Sequence, residues 1–211
     1  MRRLTPFPFV FSFRGLLKKL MLLKVHRKEK IKLLNPDDVR KALKKNSKII
    51  KWLKFISNHY NPPHKRVLLI YPCTATKPYE KSRSYKALFR TLSFLNEKRN
   101  DIHLMTISEP FGLIPEEFYE KGWDYDCPGL FEWWCNKNGK PFSKEALNES
   151  IDILSQYVAR FLEKAHKRRC YSKIIAFVRT YSSQLKRKDD HTHRRIIEKA
   201  SQISGVKVDM C

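Results

Sequence analysis

The chain has 211 residues, enough for one domain of ordinary size and an extension. Hydrophobic residues make up 42% and aromatic residues 12% of it, which supports a packed core and excludes global disorder. The formal net charge of +23 is uneven: residues 1–66 hold 19 Lys/Arg against 3 Asp/Glu, whereas residues 101–152 hold 4 against 11. Such a lopsided excess favours a polyanionic partner over the general lysine richness of heat-adapted proteins.

The cysteines and the amino-terminal residues indicate the compartment. The five cysteines are odd in number and form no Cys-x-x-Cys pair, so neither a disulfide framework nor a zinc ribbon is indicated. The apolar segment 7–13 ends at Arg14, far short of the roughly 20 residues that a bilayer span requires. It also lacks a clear signal-peptide cleavage site. We therefore expect a soluble, cytoplasmic protein with no membrane partner.

Helix and strand signals alternate along the chain. Asn35-Pro36-Asp37-Asp38 begins the first helix, because it combines a capping Asn, a first-turn proline and two acids at the positive end of the helix dipole. Apolar periodicity carries this helix to about Asn58. The further predicted elements are a strand at 67–71, a helix at 85–97, a strand at 102–108, a short helix from 115, a helix at 143–167, a strand at 173–178, a helix at 190–203 and a strand at 206–208.

This alternation predicts an α/β fold with a mostly parallel central sheet. Residues 1–34 are expected to form a basic helical extension that precedes the core. Residues 35–211 are expected to form that core, with the leading helix inside 35–60.

The loop that follows the first predicted strand carries the strongest functional signal. It holds Cys73, Lys77 and Tyr79 at the carboxyl end of a buried strand, the edge at which ligands of open α/β sheets bind. Backbone donors and a lysine beside a thiol favour its reactivity. Two structural alternatives stay open: a small buried thiol, and an ordinary surface lysine. Loops at 108–115 and 179–184 are expected at the same edge.

Three carboxylates are further candidates. Glu109 ends an apolar strand, where an ionised carboxylate is costly unless it is paired or used. Asp124 and Asp126 are two residues apart on an extended segment, so their side chains share a face suited to an ammonium group. Aspartates that merely form the turn before Pro128 are an equally good interpretation.

Other patterns are less informative. The aromatic residues Phe131, Trp133 and Trp134 suit the stacking of a nucleobase, although packing in the core is the commoner use. The chain has no Gly-rich phosphate loop. We interpret His191-Thr192-His193 as a basic helix start, because two histidines without further ligands do not make a metal site. No metal and no cofactor are expected.

The sequence of the loop resembles a motif of a known family. Pro72, Cys73, Lys77, Pro78, Tyr79 and Ser82 are in register with the motif Pro-Cys-x3-Lys-Pro-Tyr-x2-Ser-x2-His of the archaeosine synthase catalytic core. Tyr85 stands where that motif has histidine. Residues 107–115 and 125–128 resemble the Ser-Glu-Pro-hydrophobic-Gly-x-x-Pro and Tyr-Asp-x-Pro segments of the same family. The similarity extends over residues 35–180.

The resemblance implies a fold and an archaeal tRNA-modifying activity. The fold would be a three-layer α/β sandwich similar to uracil-DNA glycosylase. The substrate would be tRNA that carries 7-cyano-7-deazaguanine, and the core would add the side-chain amine of free lysine to the nitrile. A radical-SAM partner enzyme would then cleave the adduct to archaeosine. The implied catalytic residues are Cys73, Lys77, Tyr79, Ser82 and Tyr85, and the implied substrate-binding residues are Pro72, Glu109, Asp124 and Asp126.

Two questions stay open at this point. Cys73 either adds to the nitrile to form a thioimidate or only orients it. Tyr85, whose ordinary pKa is about 10, is a poor substitute for a histidine that moves a proton at neutral pH. The alternative functions are therefore a non-catalytic homologue that binds tRNA or another nucleic acid, and a base-processing hydrolase on the same scaffold.

Overall fold

The computed structural model describes residues 30–121, 124–178, 181–182, 187–188 and 191–211. The predictions for the apolar segment 7–13, for most of the extension 1–34 and for much of the loop 179–184 lie outside the described residues. The chain from Ile31 to Cys211 forms one compact unit. Among the described helices, none has the length and apolar character needed to cross a membrane.

The fold is α/β. Its helices are α1 (Pro36–Lys45), α2 (Ser47–Lys54), α3 (Arg83–Ser93), α4 (Glu132–Lys137), α5 (Lys144–Lys167) and α6 (Thr192–Ser204). Its strands are β1 (Ile31–Lys32), β2 (Lys65–Pro72), β3 (Ile102–Ser108), β4 (Gly112–Pro115), β5 (Tyr125–Asp126), β6 (Tyr171–Ala176), β7 (Tyr181–Ser182), β8 (Arg187–Lys188) and β9 (Asp209–Met210).

The largest sheet has the strand order β4-β3-β2-β6-β9. The pairs β2–β3, β2–β6 and β6–β9 are parallel, and β3–β4 is antiparallel. In the centre of the sheet, Leu69 is in register with Leu104 on one side and Ile175 on the other. Helix α5 packs against α6 and α1. Since β2 and β3 are parallel neighbours, the residues that follow them emerge side by side at one edge.

The leading helix differs from its prediction, because it is interrupted at Asn46. Asn35 caps α1 as expected, and its side chain accepts a hydrogen bond from the Asp38 amide at 2.9 Å. Asn46 then caps α2 by accepting from the amides of Lys48 and Ile49. An asparagine side chain competes with the helical backbone for hydrogen bonds, so a second helix begins there. A π-helical turn at Phe55–His59 follows α2.

Among the other helices and strands, some boundaries agree with the prediction and others are shifted. Helix α5 begins after Ser143, whose hydroxyl accepts from the Ala146 amide at 3.1 Å, and it ends at Lys167 as predicted. Strand β4 lies where a loop was expected. Gly112 begins this strand at φ 64°, a left-handed conformation that suits glycine. The last strand lies at 209–210 rather than at 206–208.

A second, small parallel sheet joins β1 to β5, with Ile31 opposite Tyr125. The pairing continues beyond the strands, because the Gly129 amide donates to the Leu33 carbonyl at 3.1 Å. A Cβ atom on Gly129 would lie 2.5 Å from the Asn35 nitrogen, so only glycine permits this close approach. The segment from Tyr125 to Gly129 is thereby fixed against the residues that precede α1.

Candidate active site

Three chain segments bring polar side chains together at the carboxyl edge of the sheet. Cys73 follows β2, and its amide donates to the Ile107 carbonyl of β3 at 2.9 Å, which continues the parallel pairing. Glu109 follows β3 directly. His193 lies in the first turn of α6, which begins at Thr192. The thiol, the carboxylate and the imidazole are therefore all held at the ends of regular elements.

These three side chains form a compact cluster. The Sγ atom of Cys73 lies 3.6 Å from Nε2 of His193. The same nitrogen lies 2.7 Å from Oε2 of Glu109. Glu109 and His193 are both almost completely buried, whereas Cys73 is partly exposed. Both contacts are made by the same ring nitrogen, and Nδ1 of His193 has no hydrogen-bond partner among the described residues. The cluster therefore differs from a nucleophile–imidazole–carboxylate triad, in which the two ring nitrogens face different partners.

The electrostatics of the pair follow from its burial and its contacts. Burial alone would raise the pKa of Glu109, but the facing His193 and the hydroxyl of Thr192, which donates to Oε1 at 2.5 Å, lower it. Burial alone would likewise lower the pKa of His193, and the Glu109 carboxylate together with Cys73 raises it. The two groups therefore form an ion pair at neutral pH.

The cluster opens into a cavity of about 530 Å³, within the usual range for a small-molecule site. The wall of this cavity is formed by Leu34, Pro72, Cys73, Thr74, Ala75, Lys77, Glu109, Tyr125, Asp126, Cys127, Pro128, Phe131, Trp134, His191 and His193. Lys77 lies with its ammonium group 4.0 Å from the centre of the Tyr125 ring. Five of the nine predicted site residues thus line one cavity: Pro72, Cys73, Lys77, Glu109 and Asp126.

The other predicted site residues do not line this cavity. Tyr79 is buried behind its wall, where its hydroxyl bonds to that of Tyr125 at 2.7 Å. Ser82 caps α3 and accepts from the Tyr85 amide at 3.2 Å. Asp124 is exposed, and its carbonyl accepts from the Ile31 amide.

Tyr85, which stands where the resembled motif has histidine, is buried outside the cavity wall. Its ring is fully buried and stacks on Tyr79 with 5.3 Å between ring centres. Its hydroxyl donates to the Pro72 carbonyl at 3.3 Å and bonds to Thr106. Burial raises the pKa of this phenol far above its ordinary value. Tyr85 therefore holds the backbone next to Cys73 as a neutral hydrogen-bonding group.

His193 is the functional residue that the sequence interpretation missed. The segment 191–193 does begin a helix, as predicted, but the imidazole of His193 also reaches the thiol of Cys73. Its position in the chain, 120 residues from Cys73, gave no signal. Phe131 and Trp134 line the cavity, whereas Trp133 is 61% exposed. The wall therefore combines acid–base groups with aromatic rings.

Comparisons with known proteins support the family resemblance. A family model described as "Domain of unknown function (DUF5591)" matches residues 49–206. The chain is 29% identical over 133 residues to the archaeosine synthase subunit alpha of Thermoplasma acidophilum, covering 62% of this chain and 22% of that protein. It is 26% identical over 115 residues to the protein of the same name from Thermococcus kodakarensis, covering 54% and 18%. The matched segments thus span about a fifth of these relatives.

A solved structure is also similar. It is described as a crystal structure of AF0587, a protein of unknown function, and it shares 23% identity with a TM-score of 0.45. The similarity covers 75% of this chain and 42% of that one.

Proposed function

Because the chain belongs to the family described as "Domain of unknown function (DUF5591)", and its curated relatives are named archaeosine synthase subunit alpha, we propose that it modifies tRNA in archaeosine biosynthesis. The proposed step adds the side-chain amine of free lysine to the nitrile of 7-cyano-7-deazaguanine. The observation that carries the proposal is the convergence of Cys73, Lys77, Glu109, Asp126 and His193 on one cavity.

The proposed reaction is an addition, so nothing leaves. A new bond joins the amine nitrogen to the nitrile carbon, the amine loses one proton and the nitrile nitrogen gains one. The product is an amidine. The site therefore needs a neutral amine, a proton donor near the nitrile nitrogen and a way to make a weak electrophile react.

The cavity offers groups for the last two needs and a carboxylate that would hold the substrate lysine. His193, paired with Glu109, and the ammonium group of Lys77 are proton donors in its wall. Asp126 provides a carboxylate for the α-ammonium group of the incoming lysine. Cys73 serves the nitrile in one of two ways: its sulfur adds to the carbon and is later displaced by the amine, or its loop orients the nitrile for direct attack.

The charge of the chain and the aromatic residues of the cavity wall support tRNA as the substrate. The net charge of +23 favours a polyanion, and phosphate contacts by Lys and Arg give binding that weakens as salt rises. Phe131 and Trp134 present aromatic rings in the cavity wall, which suits a nucleobase that has left its stack. The three-layer arrangement similar to uracil-DNA glycosylase, the cytoplasmic location and the radical-SAM partner belong to the same proposal.

The test is an adduct assay. The full chain is incubated with isotopically labelled lysine and tRNA that bears the nitrile base, and the digested nucleosides are analysed by mass spectrometry. We expect a labelled lysine adduct from the wild type and from Cys211→Ala, which removes an exposed thiol. We expect at least about a 100-fold loss of rate from Cys73→Ala where the sulfur adds to the nitrile carbon, and a smaller loss where the loop only orients the nitrile.

Two outcomes would redirect the proposal. Retained tRNA binding without any adduct would refute the transferase and favour a nucleic-acid-binding module. The role of Cys73 is settled separately by mass spectrometry of the intact protein after reaction with the nitrile nucleobase in the absence of lysine. A covalent thioimidate identifies Cys73 as the nucleophile, and its absence alongside normal adduct formation identifies the orienting role.

A further inference from the structure

The side chains of Cys73, Glu109 and His193 form a set of metal-ligating groups. One sulfur, one oxygen and one nitrogen atom from the three residues all lie within 4.8 Å of one another. Thiolate, imidazole and carboxylate are the three protein ligands of Zn²⁺. We propose that these three residues bind a Zn²⁺ ion at the floor of the cavity. This inference goes beyond the proposed function and does not depend on it.

The distances between the donor atoms fit a tetrahedral ion. With the usual Zn–S and Zn–N bond lengths, a sulfur and a nitrogen on one tetrahedral ion are roughly 3.5 Å apart. The observed separation of Sγ of Cys73 from Nε2 of His193 is 3.6 Å. The carboxylate oxygen of Glu109 lies 2.7 Å from that nitrogen, so it has to withdraw by roughly 0.7 Å to become a ligand.

A shared nitrogen gives an independent reason to place an ion there. Nε2 of His193 faces both the sulfur of Cys73 and Oε2 of Glu109. A ring nitrogen carries at most one proton, and one N–H group donates a well-aligned hydrogen bond to only one acceptor. An ion between the three atoms would bind all of them at once.

The surroundings are those of a catalytic rather than a structural ion. All three residues line the cavity, so a fourth coordination position would face it and accept water or a substrate atom. The other oxygen of Glu109 is held by the hydroxyl of Thr192 at 2.5 Å, which orients the carboxylate as outer-shell partners do. The three ligands follow β2, follow β3 and begin α6, so their backbones are fixed by regular structure.

The ion would change the roles of both Cys73 and His193, because a ring nitrogen that binds Zn²⁺ carries no proton and cannot donate one to the nitrile. A sulfur that binds Zn²⁺ shares its electron pair with the metal, so it is not available to add to a nitrile carbon. The metal-bound cluster and a covalent thioimidate are therefore alternative uses of one sulfur. Metal binding is measured without substrate, whereas the adduct assay is run with and without a chelator, so either proposal can fail alone.

The test uses Zn²⁺ and Co²⁺ on the full chain after treatment with a chelator. We expect one tightly bound Zn²⁺ per chain by calorimetry and elemental analysis. We expect the Co²⁺ protein to show intense visible bands of a four-coordinate ion and a thiolate-to-cobalt charge-transfer band. Cys73→Ser should abolish the charge-transfer band and weaken Zn²⁺ binding by more than about 100-fold, since the loss of an outer-shell partner alone costs roughly 10–100-fold.

The control is Cys135→Ser, which replaces a buried thiol outside the cavity wall whose hydrogen bonds to two backbone carbonyls a serine hydroxyl can replace. It should bind metal as the wild type does. Circular dichroism and thermal unfolding in the presence of a chelator establish that each variant is folded. Substoichiometric binding to the wild type would overturn the proposal. Unchanged binding in both Cys73→Ser and His193→Gln would also overturn it, because the ion would then lie elsewhere.

Discussion

The buried pair of Glu109 and His193 is predicted to be strongly coupled in free energy. The two groups are 2.7 Å apart and almost completely buried. Removing one partner of a buried ion pair leaves an uncompensated charge, at a cost of about 3–5 kcal/mol of unfolding free energy. We expect Glu109→Gln and His193→Gln each to lose stability in that range.

The double variant separates the pair from its surroundings. The double variant leaves neither charge unpaired. Its loss of unfolding free energy should therefore be close to that of one single variant and well below the sum of the two. The coupling energy should reach about 2 kcal/mol or more, toward the upper end of values for contacting residues. The assay is urea unfolding followed by circular dichroism at pH 7, with a chelator present so that no bound metal contributes.

A matched control lies on the same helix. Arg194 and Glu198 form a partly exposed pair four residues apart on α6, with Nε 2.6 Å from Oε1. Its coupling should be only about 0.3–0.5 kcal/mol, the usual range for pairs four residues apart on a helix, because water reaches the Glu198 carboxylate and screens the attraction. If the losses of Glu109→Gln and His193→Gln simply add, within about 0.5 kcal/mol, then the buried contact does not carry the energy assigned to it.

Three further predictions follow from individual contacts. Tyr85→Phe removes buried hydroxyl hydrogen bonds, so it should lower the free energy of unfolding in urea by about 1–2 kcal/mol. The rate of adduct formation should stay within about tenfold of the wild-type rate, and a rate loss beyond about 100-fold would instead assign the phenol a chemical role. Gly129→Ala inserts a methyl group 2.5 Å from facing backbone, so we expect about 1–3 kcal/mol of destabilisation in the same assay, and an unchanged midpoint would show that this approach is not tight. Burial alone would raise the pKa of Glu117, but hydrogen bonds from His103 and Tyr60 outweigh burial and lower it. The wild type should therefore have a higher free energy of unfolding than Glu117→Gln at pH 7, and the difference should shrink as pH falls from about 5 to about 3; a difference independent of pH would contradict this.

The parts of the fold that the sequence predicts best are those with strong periodicity and local capping signals. Helix α5 has a long apolar stripe and a serine cap, and its boundaries match to within one residue. Strands β2 and β3 are apolar segments, and β3 matches its predicted range. The loop after β2 was identifiable because its residue types are unusual and because its position after a strand has a known meaning in α/β folds.

The features that escaped prediction depend on contacts between distant residues or on short elements. Strand β4 has four residues and is stabilised by antiparallel pairing with β3, which local sequence does not reveal. Asn46 is a polar residue that also fits the exposed face of one long helix, and only its side-chain hydrogen bonds show that one helix ends and another begins there. His193 approaches Cys73 through tertiary structure alone. The sequence therefore predicted Cys73 and Glu109 as site residues but did not predict His193, the third member of the cluster.

The position of Tyr85 bears on the prediction that tyrosine stands here in place of a histidine of the resembled motif. A side chain at this position lies on the first turn of α3, buried between Tyr79 and the sheet and outside the cavity wall. The imidazole that contacts Cys73 comes from α6, at the other end of the chain. The proton donor in the proposed reaction therefore does not have to be residue 85. Tyr85 holds the Pro72 carbonyl, and with it the backbone that presents the thiol, while His193 places an imidazole beside the sulfur. A tyrosine at position 85, where the resemblance implies histidine, would thus affect the support of the loop rather than supply the imidazole.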